Sequence, residues 1–247
     1  MSEMVKRGVE ELGLDSFLKK SGLNITISST DPLKEITGHL LTTAYQGTLN
    51  SSNDTFDSAK FLAESIGAKF YHWTIDDEVA SYTHKIETAI GRKLTWEQDD
   101  ITLQNIQART RSPIIWMLAN LNNALLLSTS NRSEGDVGYA TMDGDTSGSI
   151  SPIAAVDKFF ILHWLKWAQK NLQQSGLSLV NALQPSAELR PLERTQTDEK
   201  DLMPYAIIVE REMNLRGRND EEAAEEGLLS GYNAESVATV HQEMVDD

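Results

Sequence analysis

Hydrophobic positions along this chain recur in alternating helical and strand-like runs. Residues 5–20 (VKRGVEELGLDSFLKK) carry apolar side chains at helical spacing. Ile36–Tyr45 reads as the first clear strand, followed by a polar loop, Gln46–Asp54. Thr55–Ile66 places Phe56, Ala59, Ala63 and Ile66 on one helical face, with Gly67 as a stop. Ala68–Ile75 (AKFYHWTI) is an aromatic strand. Its aromatics, Phe70 to Trp73, suit a core or an interface rather than a stacking platform, because Lys69 alone brings positive charge. Asp76–Ile90 is a helix with acids in its first turn and Gly91 at its end. Ile101–Leu121 is a long helix in which Pro113 predicts a kink. Ala124–Thr129 (ALLLST) is a continuous apolar run, the pattern of a strand buried on both faces. Asp157–Leu172 is a helix apolar nearly all round, predicted to be largely buried with Trp164 and Trp167 in the core. Strand–helix alternation of this kind indicates an α/β fold with a parallel sheet. The helix-first N-terminus is unusual, since open α/β domains usually begin with a strand and a phosphate-binding turn.

Composition narrows the function classes. The 247 residues carry 22 basic and 37 acidic side chains, a net charge of −15. That balance speaks against non-specific binding to nucleic acid or to an anionic membrane. Cysteine is absent, which excludes disulfides, thiolate catalysis and cysteine-ligated metals. The five histidines never pair at helical spacing. No apolar run suggests a signal peptide or a membrane span, so the cytoplasm is the expected compartment. Nine acids and no lysine or arginine fall within residues 219–247. Residues 216–247 therefore read as an acidic extension, helical or frayed, after a domain covering residues 1–215.

Candidate chemistry concentrates between Leu125 and Pro152. The apolar run leads into Ser128, Thr129, Ser130, Asn131, Arg132, Ser133 and Glu134. Ligands in open α/β sheets bind at carboxyl ends of strands. Hydroxyls there suit phosphate or ribose, and a carboxylate such as Glu134 suits Mg²⁺. Gly138, Gly144 and Gly148, with Asp136, Asp143 and Asp145, follow in a loop. Asp157 suits a helix N-cap. Lys158 then sits in the first helical turn, opposing the helix dipole unless the two share an anion. Arg109 and Arg111 are two apart on the long helix, so at most one is expected to point into a site. Ser186 lies in a loop pinned by Pro185 and Pro191, where it either caps a helix or touches a phosphate.

Four stretches together carry a family resemblance: YQGTLNSSNDTFDSAKFLAESIGA (45–68), DDITLQNIQARTRSPIIWMLAN (99–120), STSNRSEGDVGYATMDGDTSGSISPIAAVDK (128–158) and PSAELRP with QTDEKDLMPY (185–205). Over residues 1–215 the chain resembles the synthetase domain of glutamine-dependent NAD⁺ synthetases. The resemblance implies a doubly wound parallel sheet of the adenine-nucleotide alpha-hydrolase-like (ATP-pyrophosphatase) type. It implies ATP-dependent amidation of nicotinic acid adenine dinucleotide (deamido-NAD⁺) to NAD⁺ through an adenylated intermediate, with ammonia from glutamine or free ammonia. By motif, Thr129, Lys158 and Ser186 would hold ATP, Glu134 would bind Mg²⁺, and Arg109 would contact the dinucleotide. A homodimer is implied, as is a glutaminase domain or subunit supplying ammonia.

The sequence departs from the family pattern. It contains no SGGxDS phosphate loop, and residues 1–13 resemble the helical region after that loop. The expected domain therefore lacks its first strand and phosphate loop, and strand edges left unpaired predict poor solubility or a partner. Met142 and Ser149 stand where single-domain members have a lysine and an aspartate, and the family's basic C-terminal segment is replaced by the acidic stretch. The leading expectation is an incomplete NAD⁺ synthetase domain. The alternative is a non-catalytic nucleotide-binding or interaction subunit derived from that family. A GMP synthetase-like amidotransferase is a third reading, opposed by SNRSEGDVGYAT and PSAELRP.

Overall fold

The computed structural model describes residues 1–191, 196–202, 204–205 and 207–208. The predicted acidic extension and the boundary at residue 215 lie outside the described residues. Two short helices, α1 (Ser2–Leu12) and α2 (Leu14–Lys20), open the chain as expected. The next element is a helix, α3 (Pro32–Leu40), followed by strand β1 (Thr42–Gly47). The expected strand over Ile36–Tyr45 is therefore wrong in its first half. Asp31 caps α3 by accepting from the Lys34 amide at 3.1 Å, and Pro32 sits at its first position. Leu33, Ile36, Thr37 and Leu40 then fall at helical spacing, and Ile36 is fully buried.

The sheet among the described residues is one βαβ unit. Helix α4 (Asn53–Ile66) connects β1 to β2 (Lys69–Thr74), which pairs with it in parallel from Thr42↔Lys69 to Gly47↔Thr74. Ser52 caps α4, and Gly67 closes it in the left-handed region at φ 78°. Phe56 fixes α4 on the sheet, its ring 4.5 Å from His72 and 5.4 Å from Tyr45. The aromatic strand is thus half-buried: Phe70 meets Phe56 while Tyr71 is exposed. Helix α5 (Asp76–Ile90) has the expected bounds and ends at Gly91.

Helix α6 (Asp100–Leu121) runs unbroken through Pro113. The run at 124–129 is not a two-sided buried strand. It makes one parallel bridge, Leu127↔Ile150, and Leu125 is 66% exposed. A strand needs a ladder, and among the described residues this run pairs across to another segment's backbone where Ser128 donates to Ile150 and Ser149 to Leu126. Helix α7 (Arg132–Asp136) follows, then α8 (Lys158–Asn171), α9 (Leu177–Ala182) and α10 (Asp198–Asp201). The expected burial of α8 is also wrong. Within it only Ala168 is buried, while Trp164 and Trp167 are 43% and 49% exposed. Helix α9 covers one face, tied by the Asn181 amide to the Leu165 carbonyl and Gln169; the tryptophans lie off that face. No helix among the described residues is long and apolar enough to cross a membrane.

Candidate functional site

The segment between Asn131 and Lys158 is built around two caps. Asn131 accepts from the Glu134 amide at 3.1 Å, and Glu134 Oε2 accepts from the Asn131 amide at 3.2 Å, a capping box on α7. Asp157 caps α8 as expected, accepting from the Phe160 amide at 2.6 Å, and pairs with Arg132 at 3.3 Å. The Lys158 amide donates to Ser133 Oγ. These bonds bring the first turns of α7 and α8 together and set the free oxygen of Glu134 beside Lys158. Lys158 Nζ lies 3.0 Å from Glu134 Oε1 and 3.8 Å from Asp198 Oδ2, and 5.8 Å from the Tyr205 ring centre.

A second network holds the PSAELRP loop. Ser186 Oγ donates to the Gln196 carbonyl at 2.7 Å and accepts from the Glu188 amide. Ser186 thus caps no helix; it closes its own loop. Glu188 accepts from Ser52 and Thr55 hydroxyls at 2.7 Å each, which fastens the loop to the start of α4. Gln107 and Asn50 both donate to the Leu189 carbonyl. Arg190 bridges Asp100 and Asp201, at 2.8 and 2.6 Å.

Between these networks lies a cavity of about 650 Å³. Arg109, Thr129, Glu134, Lys158 and Ser186 all line it, although they come from four separate segments. Asn105, Tyr139, Met142 and Asp198 complete much of the wall. Met142 faces this cavity; Ser149 is not among its lining residues. The expectation that only one of Arg109 and Arg111 reaches a site is wrong, for both line it. Thr110 between them is buried on the helix's inner face, and the two long side chains splay around it. Arg109 Nε donates to the Met142 carbonyl and Arg111 Nε to the Gln46 carbonyl, each at 3.0 Å.

Asp198, in the QTDEKD stretch, is a site residue that no local sequence signal marks. It is 5% exposed. Burial pushes its carboxyl up, against the Tyr205 hydroxyl at 2.5 Å and the nearby Lys158 charge, both of which pull it down. Burial would also raise Asp201, but Gln196, Arg190 and Tyr139 together hold it below its ordinary value. Tyr139 is pushed up, first by burial and then by its bond to Asp201.

The family model for NAD synthase matches residues 39–245. The chain belongs to the NAD synthase family. A glutamine-dependent NAD⁺ synthetase of Oryza sativa is 36% identical over 202 residues, covering 75% of this chain and 27% of that protein. The crystal structure of a glutamine-dependent NAD⁺ synthetase from Cytophaga hutchinsonii is similar with a TM-score of 0.71 and 56% identity, over 77% of this chain and 33% of that one. The Acinetobacter baumannii synthetase, solved with adenosine diphosphate, shares the fold at a TM-score of 0.52 and 22% identity, over 82% of this chain and 34% of that one. The fold is therefore that of NAD synthetases, the adenine-nucleotide alpha-hydrolase-like α/β class with a parallel sheet. The chain spans about a quarter to a third of the length of these three relatives.

Proposed function

We propose that this chain is the nucleotide-binding part of a glutamine-dependent NAD⁺ synthetase. The reaction is a carbon–nitrogen ligation in two steps. A carboxylate oxygen of nicotinic acid adenine dinucleotide attacks the α-phosphorus of ATP, and the bond to the leaving pyrophosphate breaks. Ammonia then attacks the activated acyl carbon, AMP leaves with its oxygen, and the nitrogen loses a proton to give the amide. The observation that carries this reading is the convergence of Arg109, Thr129, Glu134, Lys158 and Ser186 on one cavity. The A. baumannii protein of the same fold was solved with adenosine diphosphate, and a nucleotide ligand for this chain accords with that.

Each role follows from charge and reach. Lys158 places a cation where phosphate oxygens gain charge in the first step, and the amide end of α8 adds to it. Thr129 presents a hydroxyl at the cavity wall for the triphosphate. Ser186 reaches a phosphate by redirecting the hydroxyl that now closes its loop. Arg109 keeps its terminal nitrogens for the dinucleotide. Among the described residues no three or more His, Asp or Glu side chains cluster as a preformed metal cage. Glu134 nevertheless fits Mg²⁺, which is commonly held through one or two carboxylates with phosphates completing the shell. When bound, the ion would offset charge on the phosphate oxygens, and Lys158 would move from Glu134 toward the phosphates.

The protein is cytoplasmic and self-associates as a homodimer in this reading, with ammonia delivered by a glutaminase domain or subunit. The second reading is a subunit of the same family that binds nucleotide without turning it over. NAD⁺ formation separates the two. It is measured with ATP, Mg²⁺, nicotinic acid adenine dinucleotide and excess ammonia, on the chain alone and on the chain joined behind a strand carrying SGGxDS. Turnover in either form supports the synthetase, whereas binding without turnover in both supports the second reading.

A further inference from the structure

Arg109 and Arg111 both line the cavity, and each donates its Nε to a main-chain carbonyl without an ion pair to a described residue; Arg109 is exposed, whereas Arg111 is half-buried. Arg190 is neutralised by Asp100 and Asp201, and Arg132 by Asp157. Arg111 uses only its Nε, on the Gln46 carbonyl, and forms no ion pair with any described residue. Burial weighs against its charge, and Asp145, Tyr45, Glu188 and Asp76 offset this only from beyond ion-pair distance. Taking a guanidinium out of water without an opposite charge in contact is costly. In a chain with a net charge of −15, leaving it so is the arrangement of a site that expects an anion.

Position says which anion. Gln46 and Gly47 end β1, and carboxyl ends of parallel strands are where open α/β sheets bind ligands. With Nε fixed, both Nη groups remain to donate, and a planar fork suits phosphate oxygens in pairs. Lys158 and Arg109 line other parts of the same cavity, so an extended polyanion can be gripped at separate points. We propose that Arg111 binds a diphosphate group in this cavity, at the end of β1. The inference rests on the nucleotide reading above. The group belongs either to a nucleoside triphosphate or to the dinucleotide.

The test is calorimetric titration of the purified chain, wild type, R111Q and R111K, with inorganic pyrophosphate. ATP and nicotinic acid adenine dinucleotide are titrated in parallel. Loss of one charge-assisted contact predicts roughly 10- to 100-fold weaker pyrophosphate binding by R111Q, with R111K between. A drop shared with ATP alone assigns the diphosphate to the triphosphate, and a drop shared with the dinucleotide alone assigns it there. Thermal melts of the ligand-free proteins add a readout that a purely structural arginine would reverse. R111Q, freed of an uncompensated charge, should melt no lower than wild type. If R111Q does not fold, R111K carries the same comparison. Unchanged affinity in the variants, or no pyrophosphate binding by wild type, would overturn the proposal. Arg111-dependent pyrophosphate binding without NAD⁺ formation, by the chain alone and by the chain joined behind SGGxDS, would sink the synthetase reading and leave this one standing.

Discussion

Lys158 carries two loads, and a substitution separates them. Its ammonium touches Glu134 and approaches Asp198, and both of its partners are mostly buried. Lys158→Met leaves those two carboxylates facing each other, a loss of about 2 kcal/mol after allowing for partial solvent access. The same change should lower kcat/KM by roughly 10²- to 10³-fold, the usual effect of removing one donor to developing phosphate charge. Denaturant melts and steady-state kinetics read the two effects apart. A different residue tests the electrostatics without touching the site. Asp99 takes a two-bonded pair from Arg92, both at 2.7 Å, and the Thr95 amide. Arg92 first, then Thr95, hold its carboxyl down to about 2. The folded-state value is depressed, so its contribution is present above the unfolded value and is lost as pH falls toward about 2. Carboxyl NMR should show that midpoint, Arg92→Gln should return it to the ordinary range, and salt should weaken the effect because the pair is at the surface. Candidate residues carried by local motifs were legible in the sequence: Glu134 stands out in the polar segment after an apolar run, and Lys158 follows the cap at Asp157. Asp198 was not, and Arg111 was a candidate without a reason to prefer it, because what marks them is burial and partners supplied by distant segments. Tyr205, Lys158 and the end of β1 meet them only in the folded chain.

Elements with local stop and start signals formed where the sequence placed them. Helix α5 matches because three acids open it and Gly91 ends it. Helix α4 ends at Gly67 for a stricter reason. Gly67 adopts φ 78°, and a Cβ there would lie 2.6 Å from the Lys34 carbonyl oxygen in α3. Gly67→Ala should therefore cost about 2 kcal/mol, from left-handed strain plus a backbone clash, as read by chemical denaturation. A cost below about 0.5 kcal/mol would mean that α3 and α4 are not packed as described. Misread elements share one cause. Ile36–Tyr45 and Ala124–Thr129 are short apolar runs, and period alone does not separate a helix turn, a strand and a single bridge. Capping by Asp31 decided the first, and the scarcity of a hydrogen-bonding neighbour decided the second. Helix α8 was read as core because its apolar residues surround it, yet burial depends on what covers a helix, and among the described residues α9 covers one face.

At the scale of the molecule, apolar surface and charge act against each other. Trp164, Trp167, Met117, Leu121 and Leu125 are each more than two-fifths exposed. Exposure on this scale marks a contact surface or an association liability. The purified chain should bind a hydrophobic dye and sediment with concentration-dependent mass, more strongly at high salt, where the repulsion of fifteen excess negative charges is screened. A monodisperse monomer with a reversible cooperative melt would contradict this. The parallel βαβ frame and the motif-borne half of the cavity could be read before folding; the exposed face of α8 could not. The claim that organises the account is that this cavity holds ATP and nicotinic acid adenine dinucleotide for amidation. The most direct measurement is NAD⁺ formation with ATP, Mg²⁺, dinucleotide and excess ammonia. It is run on the chain alone and on the chain joined behind a strand bearing SGGxDS, each with and without Lys158→Met. The account predicts NAD⁺ in at least one form, reduced at least 100-fold by the substitution. Folded protein that makes no NAD⁺ in either form, or turnover indifferent to Lys158, would contradict it.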